Sequence, residues 1–172
     1  MRLLLLSSLL NLATFILAAP AAAQSTEMLD AQYGFMGLQF GDSLDVIEQT
    51  YDTLIPQRNF EKKHRYRLVE PLMQFEGVTL EFADLLLYEN RLHSVYLRTA
   101  DKSSSQALLQ AFETLYGQGK QQSFANNFIW KGERVVLLFD ENLLTGKADV
   151  RVISIPMERR FGKKWKRVDR QW

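Results

Sequence analysis

The sequence predicts an α+β domain in which two helices pack on one face of an antiparallel sheet of five to seven strands. Three observations carry this. Apolar residues recur at steps of three and four in two separate segments, Leu44–Leu54 and Leu108–Leu115, the spacing of a helix with one buried stripe. From Val78 apolar and polar residues alternate strictly, with Val78, Leu80 and Phe82 on one side and Thr79 and Glu81 on the other, as in a half-buried strand. Turn residues then separate several short apolar runs in the last third of the chain. Neither the helical stripes nor the apolar sheet face can remain in water, so they must cover each other.

The first 23 of the 172 residues have the three parts of a secretory signal peptide. Arg2 supplies the positive charge. Leu3–Ala19 is an apolar run broken only by Ser7, Ser8, Asn11 and Thr14, and Pro20 ends it ahead of Ala21-Ala22-Ala23. Small residues before Gln24 suit a signal peptidase, so cleavage is expected near Ala23. The alternative is a retained membrane anchor, for which the run is at the short limit. No second stretch of this kind follows, so a mature chain without a transmembrane span is expected, periplasmic or secreted. The chain has no cysteine, which excludes disulfides, thiolate chemistry and lipid attachment at a mature N-terminal Cys.

The mature chain divides into a body over 24–156 and a basic, aromatic tail over 157–172. Gln24–Gln32 is polar and reads as loose. Tyr33–Phe40 is aromatic, holds Gly34 and Gly37, and reads as a short first strand. Ser43 offers a helix N-cap, and Leu44, Ile47, Tyr51 and Leu54 form the first helical stripe, ended by Pro56. Residues 57–70 read as a loop leading into a strand, with Arg58, Lys62, Lys63, His64, Arg65 and Arg67 as a basic cluster. The strand from Val78 to Tyr88 turns at Glu89-Asn90 and returns from Leu92 to Thr99. Ser103 with Gln106 fits a capping box ahead of the second stripe (Leu108, Ala111, Phe112, Leu115), and Gly117 closes that helix. Phe128–Trp130, Arg134–Phe139 and Val150–Ile155 are the remaining strands.

The two helices overlay at an offset of 61 residues, with Ser43 on Ser104, Tyr51 on Phe112 and Leu54 on Leu115. The strands overlay at an offset of 57, with Val78 on Val135, Leu80 on Leu137, Phe82 on Phe139 and Val95 on Val152. Two duplicated helix-then-sheet units would produce this. So would any two segments with the same periodicities; superposing the two halves decides, and a different strand order would rule duplication out. The segment Phe40-Gly41-Asp42-Ser43-Leu44-Asp45-Val46-Ile47 resembles the opening of β-lactamase inhibitor proteins and of the small lipoproteins of outer-membrane β-barrel assembly. That resemblance implies a protein-binding, non-catalytic role. The missing lipoprotein cysteine and the long polar stretch 57–70 depart from the pattern.

No Gly-x-Ser-x-Gly elbow, phosphate-binding glycine loop or His-Glu-x-x-His motif occurs, and no cofactor is expected. His64 and His93 read as surface histidines. Asp140 and Glu141 read as a solvated loop. Residues 24–156 carry thirteen basic against eighteen acidic side chains, and residues 157–172 seven against two. In that tail Arg159, Arg160, Lys163, Lys164, Lys166 and Arg167 interleave with Trp165 and Trp172. Such a segment suits an envelope protein partner or an anionic membrane surface; equally, it can fold back on its own acidic body. Export disfavours nucleic acid. Phe35, Tyr96, Phe128 and Trp130 are candidates for an aromatic patch on the sheet face away from the helices, or else for core. The functional expectation is a non-catalytic protein-binding or envelope-associated module. The alternative is a small-ligand carrier or a hydrolytic enzyme, which would show a deep pocket holding Asp84 or Asp140 beside His93.

Overall fold

The computed structural model describes residues 26–51, 53–57, 62–69, 73–122 and 126–161. The expected signal peptide over 1–23 lies outside the described residues. The class is α+β, as the periodicities require. In chain order the elements are helix α1 (Thr26–Gln32), strands β1 (Gly34–Phe35) and β2 (Leu38–Gln39), helix α2 (Leu44–Thr50), and strands β3 (Leu54–Pro56), β4 (Lys63–Leu68), β5 (Gln74–Phe75), β6 (Val78–Tyr88) and β7 (Arg91–Thr99). Helix α3 (Lys102–Tyr116), strands β8 (Lys120–Gln121), β9 (Asn127–Lys131), β10 (Val135–Glu141) and β11 (Ala148–Ser154), and helix α4 (Ile155–Phe161) complete it. The main sheet has nine strands rather than five to seven, eight of them in the order β3-β4-β6-β7-β11-β10-β9-β8 with β5 beside β6, and β1-β2 forms a separate hairpin. The extra strands are pieces of two or three residues, too short for any periodicity to reveal.

Local chemistry accounts for several boundaries. The turns of β1-β2, β5-β6 and β6-β7 place Met36-Gly37, Glu76-Gly77 and Glu89-Asn90 at positive φ. That is the two-residue turn whose twist matches antiparallel strands. Helix α2 stops at Thr50, short of the expected Pro56, because Leu54–Pro56 pairs with Tyr66–Leu68 as β3. Asp101 caps α3, its side chain accepting from Ser104 N–H at 2.8 Å, so the cap sits two residues before Ser103. Gln24–Gln32, expected to be loose, contains α1. Its Asp30 carboxylate accepts the backbone N–H groups of Glu133, Arg134 and Val135 at 2.6–2.9 Å.

The core lies between the sheet and α1, α2 and α3. Ile47 of α2 and Leu108 and Phe112 of α3 join one cluster with Leu85, Val95, Leu137 and Val152. Directly opposed partners trace one row across this face: Tyr66, Leu85, Val95, Val152, Leu137, Trp130. Burying such residues contributes roughly 1.5–3 kcal/mol each, largely offset by chain entropy. Trp130 is fully enclosed and its indole N–H donates to Gly117 O at 2.7 Å.

The strand order is the same in both halves: a helix followed by a four-strand meander, with the last strands β7 and β11 side by side at the centre. Val95 opposes Val152, the pair equated by the offset of 57. The same offset fails one strand out. Leu85, not Leu80, opposes Val95, whereas Leu137 opposes Val152. The β6-β7 turn takes two residues and the β10-β11 connection six, Asn142–Lys147, which shifts the equivalence. Phe82 is also not on the face of Val78 and Leu80. A register shift between Leu80 and Phe82 inserts Glu81 as a bulge, and an extra residue reverses the alternation beyond it.

Candidate functional site

The bulge supplies the face of the sheet that the core helices leave uncovered. Beyond it, β6 sends Phe82, Asp84, Leu86 and Tyr88 to the side opposite Ala83, Leu85 and Leu87. Register then places two charged pairs directly across from each other, Arg67 opposite Asp84 and Arg98 opposite Asp149. Arg67 Nε donates to Asp84 Oδ1 at 2.8 Å, and its Nη2 to Oδ2 at 3.0 Å. Arg65 reaches the same carboxylate, with Nε and Nη2 at 2.7 and 2.6 Å from Oδ2. Asp84 is only 1% exposed, so two guanidinium groups compensate one carboxylate taken out of water. Arg98 makes a bidentate pair with Asp149, at 2.6 and 3.0 Å.

The arginines are stacked as well as paired. Phe82 and Tyr96 stack with ring centroids 5.5 Å apart. Arg67 and Arg98 lie 4.6 and 5.1 Å from the Phe82 centroid, and Arg65 lies 5.3 Å from that of Tyr96. A guanidinium between an aromatic face and a carboxylate is held in one plane. The hydrogen bond to Asp84 raises the Arg67 pKa, and that to Asp149 raises the Arg98 pKa. Burial, helped by Asp149, raises that of the Tyr96 phenol. Tyr96, Arg65, Arg67 and Arg98 nonetheless stay partly exposed, as do Ile129, Val136, Leu138 and Ile153, and Arg151 is open to solvent.

Helix α4 borders this face at one end. Phe161 packs on Tyr88 with centroids 4.0 Å apart, joined by Leu86 and by Met157, which also packs against the main core. His93, expected on the surface, is 1% exposed. A register shift between Leu86 and Leu87 turns it to this side, with Nδ1 3.2 Å from Ser94 Oγ and Nε2 3.1 Å from Glu158 of α4. The His93 ring at that distance lowers the Glu158 pKa.

The sequence-based candidates divide as follows. Arg159 and Arg160 are in α4, exposed; Lys163, Lys164, Trp165, Lys166, Arg167 and Trp172 lie outside the described residues. Of the four aromatic candidates, only Tyr96 is on the uncovered face; Phe35, Phe128 and Trp130 pack in the main core. The sequence alternation puts Phe82 with Val78 and Leu80 and gives no sign of Arg98, since only the bulge and the β7-β11 pairing bring these two to Tyr96. Asp84 serves the arginines, Asp140 opposes Asp149 at an exposed position, and His93 meets Glu158, so these three are not gathered in one pocket. A cleft of about 640 Å³ lies elsewhere, lined by Phe35, Leu38, Gln39, Tyr51, Phe75 and Tyr116 among others. Among the described residues no group of three or more His, Asp or Glu could hold a metal ion, and no helix is long and apolar enough to cross a membrane.

Comparison with known proteins assigns no class. No family model matches the chain, and no curated protein matches it. Among solved structures it is similar to a cysteine-rich secretory protein from Staphylococcus aureus, at 7% identity and a TM-score of 0.38, covering 69% of this chain and 46% of that one. The present chain thus spans less than half the length of that protein.

Proposed function

We propose that the protein is an exported, non-catalytic binding module that engages a partner at the cell envelope through the uncovered face of its sheet. The observation that carries this reading is the Phe82–Tyr96 stack clasped by Arg65, Arg67 and Arg98 at the centre of that face. Tyr, Phe and Arg are the residues enriched where protein surfaces meet. Here the arginine rotamers are held by Asp84 and Asp149 before any partner arrives, which reduces the ordering cost of association. The surrounding Ile129, Leu138 and Ile153 add apolar area that a folded monomer gains nothing by exposing.

The test is photocrosslinking in cells that export the protein, with a benzophenone amino acid placed at Tyr96, at Leu138 or, on the opposite side of the molecule, at exposed Gln110 of α3. Discrete adducts from Tyr96 and Leu138 but not from Gln110 are expected. Adducts confined to Gln110, or none at any site, would refute docking through the sheet.

A further inference from the structure

The uncovered face is a basic island on an otherwise acidic body. Opposed partners define an unbroken row over eight strands: Lys120, Ile129, Leu138, Arg151, Tyr96, Asp84, Arg67, Ile55. One flanking row runs from Lys131 through Val136, Ile153, Ser94 and Leu86 to Arg65, and the other from Asn127 through Asp140, Asp149 and Arg98 to Phe82. These three rows hold six basic and three acidic side chains. The rest of residues 24–156 holds seven basic against fifteen acidic. Asp84 and Asp149 each neutralise one guanidinium, so the surplus falls on the Arg65–Arg67 pair, on Arg151, and on Lys120 and Lys131 toward the far edge.

We infer that this face takes an acidic protein surface, one that sets carboxylates over Arg151, Lys131 and the Arg65–Arg67 pair around an apolar centre facing Tyr96 and Leu138. The inference rests on the docking role proposed above and adds the chemistry of the partner. Charge complementarity supports it, since a face with surplus positive charge attracts an acidic patch, and opposed potentials speed and orient association. An anionic membrane fits less well. A lipid surface is negative throughout, and docking on it would press Asp140 and Asp149 against headgroups of their own sign. A folded partner can place its carboxylates selectively. Apart from Ile55 at the β3 edge, the aliphatic side chains of these rows are also partly buried in the pleat, and a shallow apolar surface of that kind is poorly suited to enter a bilayer.

The experiment uses the isotope-labelled exported protein and two probes, a random glutamate–tyrosine copolymer and phosphatidylglycerol vesicles. The charge reversals Arg151→Glu and Lys131→Glu, both at exposed positions, are combined in one variant. Lys102→Glu with Arg134→Glu, exposed outside the three rows, forms the charge-matched control. The copolymer should shift backbone amides of β7, β9, β10 and β11. The first variant should weaken its binding about tenfold or more and the control far less, with the effect shrinking as salt rises. Equal weakening by both variants, or amide shifts on the helical side, would overturn the inference. So would vesicles that perturb these amides while the copolymer does not. Photocrosslinking from Tyr96 separates the two levels. An adduct that persists in Arg151→Glu/Lys131→Glu keeps docking and removes the acidic partner, whereas no adduct in the unaltered protein removes docking itself.

Discussion

Among single residues, Asp84 is the most constrained polar group of the uncovered face. Its carboxylate is buried and is compensated, among the described residues, by two arginines that are themselves about a third exposed. Removing one arginine leaves the other in place. Removing both leaves an uncompensated buried charge, which typically costs about 3–5 kcal/mol. Arg65→Ala/Arg67→Ala should therefore lower stability in urea by about that amount, with each single substitution well below half of it; additive single effects would contradict shared compensation. Glu158 makes a pH prediction. Its folded pKa is lowered, chiefly by the His93 ring beside it, so it contributes stability that is fully present above the ordinary carboxylate range and is lost as pH falls through the lowered value. Because Glu158 is nearly half exposed, solvent screens the effect and it should be small. Glu158→Gln should lower neutral-pH Tm slightly and flatten the acid limb of the stability curve below about pH 4.5 by the same small amount. An unaltered acid limb would count against the His93 contact.

At the level of elements, the joint between α1 and the β9-β10 turn shows how a short, weakly helical segment is held. Three backbone donors converge on Asp30, and a Cβ at Gly132 would sit 2.3–2.4 Å from that carboxylate. The glycine is needed for close approach rather than for its backbone angles. Asp30→Ala should destabilise the protein by about 2 kcal/mol, the scale of charge-assisted hydrogen bonds left unmade. Gly132→Ala should cost a similar amount alone and little more once Asp30 is alanine, because the clash and the cap are one interaction. Additivity in that double-mutant cycle would show the two to be independent. A second joint, made of hydroxyls, lies at the start of α3. Ser105 Oγ donates to Gly146 O at 2.6 Å and meets Thr99 Oγ1 at 2.6 Å, while Thr99 Oγ1 accepts the Ala148 N–H at 2.7 Å. These buried groups tie the helix to the end of β7 and to the β10-β11 connection, the longest turn of the second meander.

For the molecule as a whole, two like meanders meet at β7 and β11 and build one sheet with a helical side and an uncovered side. Charge is divided too: the three rows of the uncovered face hold six basic against three acidic side chains, and the rest of residues 24–156 seven against fifteen. Helix α4 leaves the sheet at Ser154 and lays Phe161 on Tyr88 at the border of the basic face. Export is the remaining expectation at this scale. Mass spectrometry of the protein recovered outside the cytoplasm should give a chain beginning at Gln24; an intact chain retained in the inner membrane would replace processing by anchoring.

Much of this was legible from local pattern. The stripes of Ile47 with Tyr51 and of Leu108 with Phe112, the alternation from Val78, the turn at Glu89-Asn90 and the close of α3 before Gly117 depend on neighbours within a few residues, and a linear sequence displays them. The α+β class follows, because those stripes and that face must cover each other. Strand order, register and sidedness depend on residues far apart. The Glu81 bulge sends Phe82 to the uncovered face and the shift at Leu86–Leu87 buries His93. The β7-β11 pairing sets Arg98 against Asp149, 51 positions away. None of these changes a local propensity, so only the folded sheet decides them. The uncovered face consists almost wholly of such non-local pairings, and for that reason the sequence by itself determined the frame and the tertiary structure alone decided the candidate site.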